Sequence, residues 1–321
     1  MDKMRERLKN LDMRGLWERY STVGLIIVLL LLFTLFGDGG AWTLDNYESI
    51  VLSNTGLMVT VVGLSFVMVG GNIDLSIGYQ ISLLSVLIGL LTAQGFPSWA
   101  VIAGILLVGV GCGLLNGILV GYLEIVPFAA TIATQIIFRG CSFVLSQGRM
   151  SSNMASGIRQ ITRTHFWGLH LDMWLAAAAF LLLCLVLRGS FLGKHLRAIG
   201  LDEPAAARAG IRVKRVKCLS YCLAGFFYAV AAMVLTSRRG YCGSEIGVGM
   251  EITAIVAAYV GGILTFAAKQ RVLMLLMGTM VVAVVENGLV KVGMNIYIQY
   301  IITGIILIVS MTFHNRKKNA P

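Results

Sequence analysis

Long apolar blocks separated by short polar or basic runs dominate this sequence, and they decide which solvent the chain is built for. A helix needs about 20 apolar residues to cross the hydrocarbon core of a bilayer. Candidate spans fall at about residues 21–36, 50–70, 77–95, 99–121, 126–145, 173–188, 218–236, 251–268, 272–292 and 298–313, ten in all. Several are short, which leaves room for one or two broken or re-entrant spans. The chain is 57% hydrophobic and 13% charged, too little polar material to cover a water-soluble fold. A disordered chain, a nucleic-acid-binding domain and an ordinary soluble enzyme are excluded. The expected fold class is an all-α polytopic membrane protein of about ten transmembrane helices packed as one bundle.

The net charge of +11 does not point to nucleic acid, because the basic residues sit between apolar blocks. If the N-terminus is placed inside and the spans alternate, inside segments hold 19 of the 26 Lys and Arg and outside segments hold 5, with Arg139 and Lys291 near helix ends. The positive-inside rule then predicts cytoplasmic N- and C-termini. Residues 1–20 and 314–321 become cytoplasmic tails around a permease domain at 21–313, with its largest cytoplasmic loop at 189–217. No small-residue cleavage site follows the first apolar block, so that block reads as a retained anchor. The six cysteines show no CxxC pair and read as small core hydrophobes.

Catalytic signatures are missing. Gly193-Lys194 lacks the upstream glycine of a phosphate loop, and there is no HExxH or GxSxG; the four histidines are scattered over loops and the tail. No catalytic residue, metal site or cofactor is therefore expected in this chain. An ATP-driven process would place the nucleotide and its magnesium on another polypeptide.

Three groups of residues carry information. The first is the polar break Gly70-Gly71-Asn72-Ile73-Asp74-Leu75-Ser76-Ile77-Gly78 between two spans. Asp74 needs a partner or a water-lined site at membrane depth. It reads either as a turn in which Asp74 or Ser76 caps the next helix or as part of a gate. The second is the stretch from Gly200 to Ile211. Asp202 is placed to cap a short helix with Glu203 and Pro204 in its first turn, Ala205, Ala206 and Ala207 favour helix, and Gly210 ends it. A helix this short needs something to dock against. The third is a set of outward arginines, Arg149, Arg159, Arg163, Arg238 and Arg239, which run against the positive-inside bias. They read as a docking surface for an acidic partner or as lipid-headgroup contacts. Polar residues within spans, namely Asn72, Asp74, Ser76, Asn116, Thr131, Thr134, Gln135, Glu286 and Asn287, are candidates for a solute path. Each reads equally as an interhelical hydrogen bond. Asn116-Gly117 and Asn287-Gly288 form a faint echo of the kind an inverted repeat leaves.

In order along the chain, four motifs give a resemblance: Gly71 to Gly78; Asn116-Gly117 followed by Val126-Pro127-Phe128, Thr131, Arg139 and Gly140; Ala198-Ile199-Gly200 through Gly210-Ile211, Val213 and Val216-Lys217; and Asn287-Gly288. Together they resemble the permease subunits of ABC importers for monosaccharides of the ribose, xylose and galactoside type, over about residues 50–310. The resemblance implies a fold like that of the vitamin B12 importer permease and a place in the cytoplasmic membrane. It implies three partners: a separate ABC ATPase docking at residues 200–211, an extracytoplasmic sugar-binding protein, and a second permease, identical or different. The sequence departs from the family where Asn72 is inserted, where Gly261-Gly262 is not followed by the usual later glycines, and at Glu286, where an uncharged polar residue is usual. These departures suggest a heterodimer with a more typical permease. The alternatives are a stand-alone secondary transporter or channel for a small polar solute, and an integral enzyme.

Overall fold

The structure, a computed structural model, describes residues 43–263, 268–295, 297–299, 301–306 and 308, with the side chains of 268–271 left out. The first candidate span and both expected tails lie outside the described residues. The elements are α1 (Leu44–Val69), α2 (Ile77–Ala93), α3 (Ser98–Gly121), α4 (Pro127–Ser146), α5 (Ser156–Gln160), β1 (His165–Phe166), β2 (Leu169–His170), α6 (Leu171–Gly189), α7 (Phe191–Leu201), α8 (Glu203–Arg208), α9 (Val213–Arg239), α10 (Met250–Val260) and α11 (Ala268–Lys291). A further short apolar helix, α12, spans Tyr297–Ile306. Among the described residues, α1, α3, α4, α6, α9 and the Val272–Lys291 part of α11 are long and apolar enough to cross a membrane; α2, α10 and α12 are shorter apolar helices. Each expected span from residue 50 onward contains a helix among the described residues, the eighth only in part.

Two helices form the centre. α1 and α9 are the most buried spans, whereas α3, α4 and α6 leave most of their surface open. Phe66 of α1 stacks on Phe227 of α9 with ring centroids 5.8 Å apart. α9 also lies along α3 at backbone distance, because every fourth residue of α3 there is glycine: Gly109, Gly113, Gly117 and Gly121. Residues four apart share a helix face, and small residues on that face let backbones touch. A Cβ on Gly117 would come within 2.8 Å of the Cys218 carbonyl oxygen, and one on Gly121 within 2.8 Å of the Lys214 carbonyl oxygen.

The loops gather at two ends of the bundle. At one end Gly71 abuts Gly200 and Lys214 pairs with Glu124. At the other, Ser98 meets Ser156 at 3.1 Å, Thr162 meets Ser237 at 2.9 Å, and Ser151 bridges Cys242. The β1–β2 hairpin also belongs to the loop at this second end.

The eighth span differs from expectation. Its helix, α10, has 11 residues, about 16 Å at 1.5 Å per residue, too short for a bilayer core. A non-helical stretch, residues 240–249, precedes it and runs back along α2. Gly243 N–H donates to Ser85 Oγ at 3.2 Å and Gly247 N–H to Ser82 Oγ at 3.1 Å. Gly240 and Gly249 have φ of 78° and 84°, conformations that glycine alone adopts without strain. Gly247 also touches the carbonyl of Gly78. Irregular backbone is tolerated at membrane depth only where protein or an aqueous cavity satisfies it, and here the α2 serines do so.

Candidate functional site

The end that carries α8 holds the stretch from Gly200 to Ile211. Asp202 caps α8, its Oδ1 accepting from Ala205 N–H at 2.8 Å. Pro204 occupies the first turn, where its missing N–H costs nothing. Gly210, with φ of 84°, ends the element, and its N–H donates to Ala207 at 3.0 Å. The six-residue helix is too short to hold itself. It is tied to the base of α9 by an ion pair, Lys217 Nζ to Glu203 Oε1 at 2.7 Å, and Ala206 is buried beneath it. Ala207 and Pro204 face outward beside Leu201, which is 88% exposed. A groove of about 610 Å³ runs between α8 and the α3–α4 turn, lined by Glu124, Pro127, Pro204, Ala207 and Lys214 among others. Lys214 Nζ lies 2.7 Å from Glu124 Oε1. That hydrogen bond, with the charge behind it, holds the Glu124 carboxyl below the ordinary carboxylate range. A second helix, α7, precedes α8. Sequence reasoning took this loop as one short insert, although Ser190 accepting from Gly193 N–H caps α7 in the same manner.

The solute-path candidates do not converge on one lining. Asp74, Ser76 and Asn116 form a knot. Asp74 Oδ1 accepts from Ser76 N–H at 2.9 Å and from Ser76 Oγ at 2.6 Å, and Asn116 Nδ2 donates to Ser76 Oγ at 2.8 Å. Tyr221 donates to the Ile73 carbonyl at 3.2 Å, and the Tyr228 hydroxyl lies beside the Asp74 carboxylate. All five residues are buried. The Asp74 carboxylate thus serves the start of α2, whereas the Ser76 side chain does not cap it. Asn72 is buried and donates to its own turn at Gly70. Thr131 and Thr134 donate to carbonyls within α4. Glu286 and Asn287 lie on α11, half-buried. Gln135 alone reaches across the bundle to a carboxylate, Glu251 Oε1, at 3.4 Å.

Of the five arginines at the hairpin end, Arg149, Arg159, Arg163 and Arg239 are exposed. Arg238 turns inward and pairs with Asp172, a fully buried carboxylate that also accepts from Thr55 Oγ1 at 2.9 Å. Sequence reasoning missed Asp172, Glu251, Tyr221 and Tyr228. Sixty-six residues separate Asp172 from Arg238, so spacing carries no signal of that pair.

The bundle geometry and the capped short helix at one end can be set beside known proteins. The model of the family described as "Branched-chain amino acid transport system / permease component" matches residues 46–311. The chain belongs to this family. It is 33% identical over 261 residues to the ribose import permease protein RbsC of Bacillus subtilis (strain 168), covering 80% of each chain. It is 27% identical over 306 residues to the RbsC of Haemophilus influenzae, covering 94% of each. It is 26% identical over 302 residues to the autoinducer 2 import system permease protein LsrC of Salmonella choleraesuis, covering 94% of this chain and 87% of that protein. No solved structure matches the chain. The permease is thus a multi-pass membrane component of an import system. Transport, not catalysis, is the role of its family.

Proposed function

We propose that the permease is one of two membrane subunits of an ATP-driven importer that moves a monosaccharide or similar small polyol across the cytoplasmic membrane by alternating access. Its relatives' roles in ribose and autoinducer 2 import support the substrate class. The observation that carries the coupling is α8: an exposed, capped helix, pinned to α9 through Glu203 and Lys217, with its Ala207 and the apolar Leu201 at the end of α7 facing outward. An ATPase that seats on α8 pushes on α9, one of the two central spans. ATP and magnesium belong to that partner. The α8 end is cytoplasmic, as are the tails at 1–20 and 314–321. The exposed arginines Arg149, Arg159, Arg163 and Arg239 face outward to receive the acidic lobes of a sugar-binding protein, while Arg238 is occupied within the bundle.

The test is co-purification with the ATPase followed by ATP-dependent ribose uptake in vesicles. Ala207→Arg should detach the ATPase and abolish uptake while leaving the permease folded. ATPase retention and full uptake in that variant would overturn the coupling role of α8, and uptake without any ATPase would overturn the importer reading.

A further inference from the structure

Four polar groups meet on one flank of α4. Gln135 and Arg139 are one turn apart and share a face. Gln135 Nε2 donates to Glu251 Oε1 at 3.4 Å. The Arg139 guanidinium lies 5.4 Å from the centroid of the Tyr79 ring on α2. The Glu251 carboxylate reaches to Gly78, the neighbour of Tyr79, where a Cβ would collide with it. The non-helical stretch before α10 is what brings Glu251 to this depth.

This flank is not built for hydrocarbon. Arg139, expected near a helix end, lies within α4, about 18 Å along it from Pro127 and about 10 Å from Ser146, at 1.5 Å per residue. It is exposed and makes no ion pair among the described residues. Glu251 keeps one carboxylate oxygen shielded and without a partner among the described residues. An exposed guanidinium with no ion pair among the described residues, beside a half-buried carboxylate, is disfavoured against lipid tails. The opposite flank differs. Cys141, two residues past Arg139, sits toward Cys112 of α3, and its neighbours Ile137 and Val144 are exposed and apolar. Among the described residues α4 packs chiefly on α2 and lightly on α3, and Arg139 on the polar flank stays exposed.

We infer that the Gln135–Arg139 flank of α4, with Tyr79 and Glu251, lines the aqueous path of the importer and admits a neutral, hydroxyl-rich solute. The inference rests on the transport reading above and names the surface that a second permease completes. One cation and one anion leave the lining without net charge, so an ion finds no trap there. Gln135, Arg139, Glu251 and the Tyr79 hydroxyl supply the closely spaced donors and acceptors that a polyol exchanges for water.

Thiol labelling of the assembled importer tests this. An impermeant cationic methanethiosulfonate reagent should modify Gln135→Cys at least tenfold faster than it modifies native Cys141 in the unaltered permease. Arg139→Cys gives the same readout if Gln135→Cys fails to assemble. Corrected for reactivity with free 2-mercaptoethanol, the anionic sulfonate reagent should react at residue 135 within about threefold of the cationic one. Labelling no faster than at Cys141, in a preparation that retains its ATPase, overturns the lining and spares the importer reading. Fast labelling with a greater than tenfold preference for one sign overturns the neutral solute class. Absence of the ATPase overturns the importer reading whatever the labelling shows.

Discussion

The buried knots and the open flank use the same kinds of polar residue to opposite ends. Around Asp74 and around Asp172, carboxylates are enclosed and met by hydroxyl, amide or guanidinium donors from the bundle itself. Along the Gln135–Arg139 flank, the Arg139 guanidinium is exposed beside a half-buried Glu251. An enclosed, partnered carboxylate holds helices in register; a polar surface left open inside a membrane protein needs water beside it. Residue type therefore does not separate scaffold from path. Enclosure does: Asp74 and Asp172 are buried, whereas Arg139 is exposed.

The largest effect should come from the adjacent arginines at the hairpin end. Arg238→Ala strands the Asp172 carboxylate and should cost about 3 kcal/mol, read as a lowered unfolding temperature in detergent. Arg239→Ala should change stability by less than about 0.5 kcal/mol and weaken only the docking of the binding protein. Equal losses at both positions would erase the contrast between them. Next, Asp74→Ala removes the acceptor for the Ser76 amide and hydroxyl and should cost about 2 kcal/mol, measured by denaturant unfolding. Asp74→Asn, which keeps an acceptor oxygen, should cost about half of that. Smallest in stability is Gln135→Ala, expected within about 0.5 kcal/mol of the parent yet several-fold slower in ATP-dependent ribose uptake. A stability loss there as large as at Asp74 would place Gln135 among the scaffold residues.

Much of the fold was legible because apolar blocks of membrane length leave few alternatives. α8 was legible in detail, since Asp202, Pro204 and Gly210 each act locally. The α3–α9 seam was equally open to reading, through four glycines spaced by four. Distant pairing was not legible: Gln135 meets Glu251 across 116 residues. Nor was the depth of Glu251, which depends on a chain segment that leaves the helix at Gly240 and resumes it after Gly249. The glycines at 240, 243, 247 and 249 were the available sign, and apolar length alone hid it.

That same segment carries a mechanical consequence. A helical span moves as a rod, because its backbone bonds are internal to it. Residues 240–249 instead hang on two serine hydroxyls of α2 and on the Ser151–Cys242 bridge. Such a strand can let go of one tether at a time while every helix around it stays wound, so Glu251 sits at the tip of a tongue whose position the rest of the bundle can shift without unwinding anything.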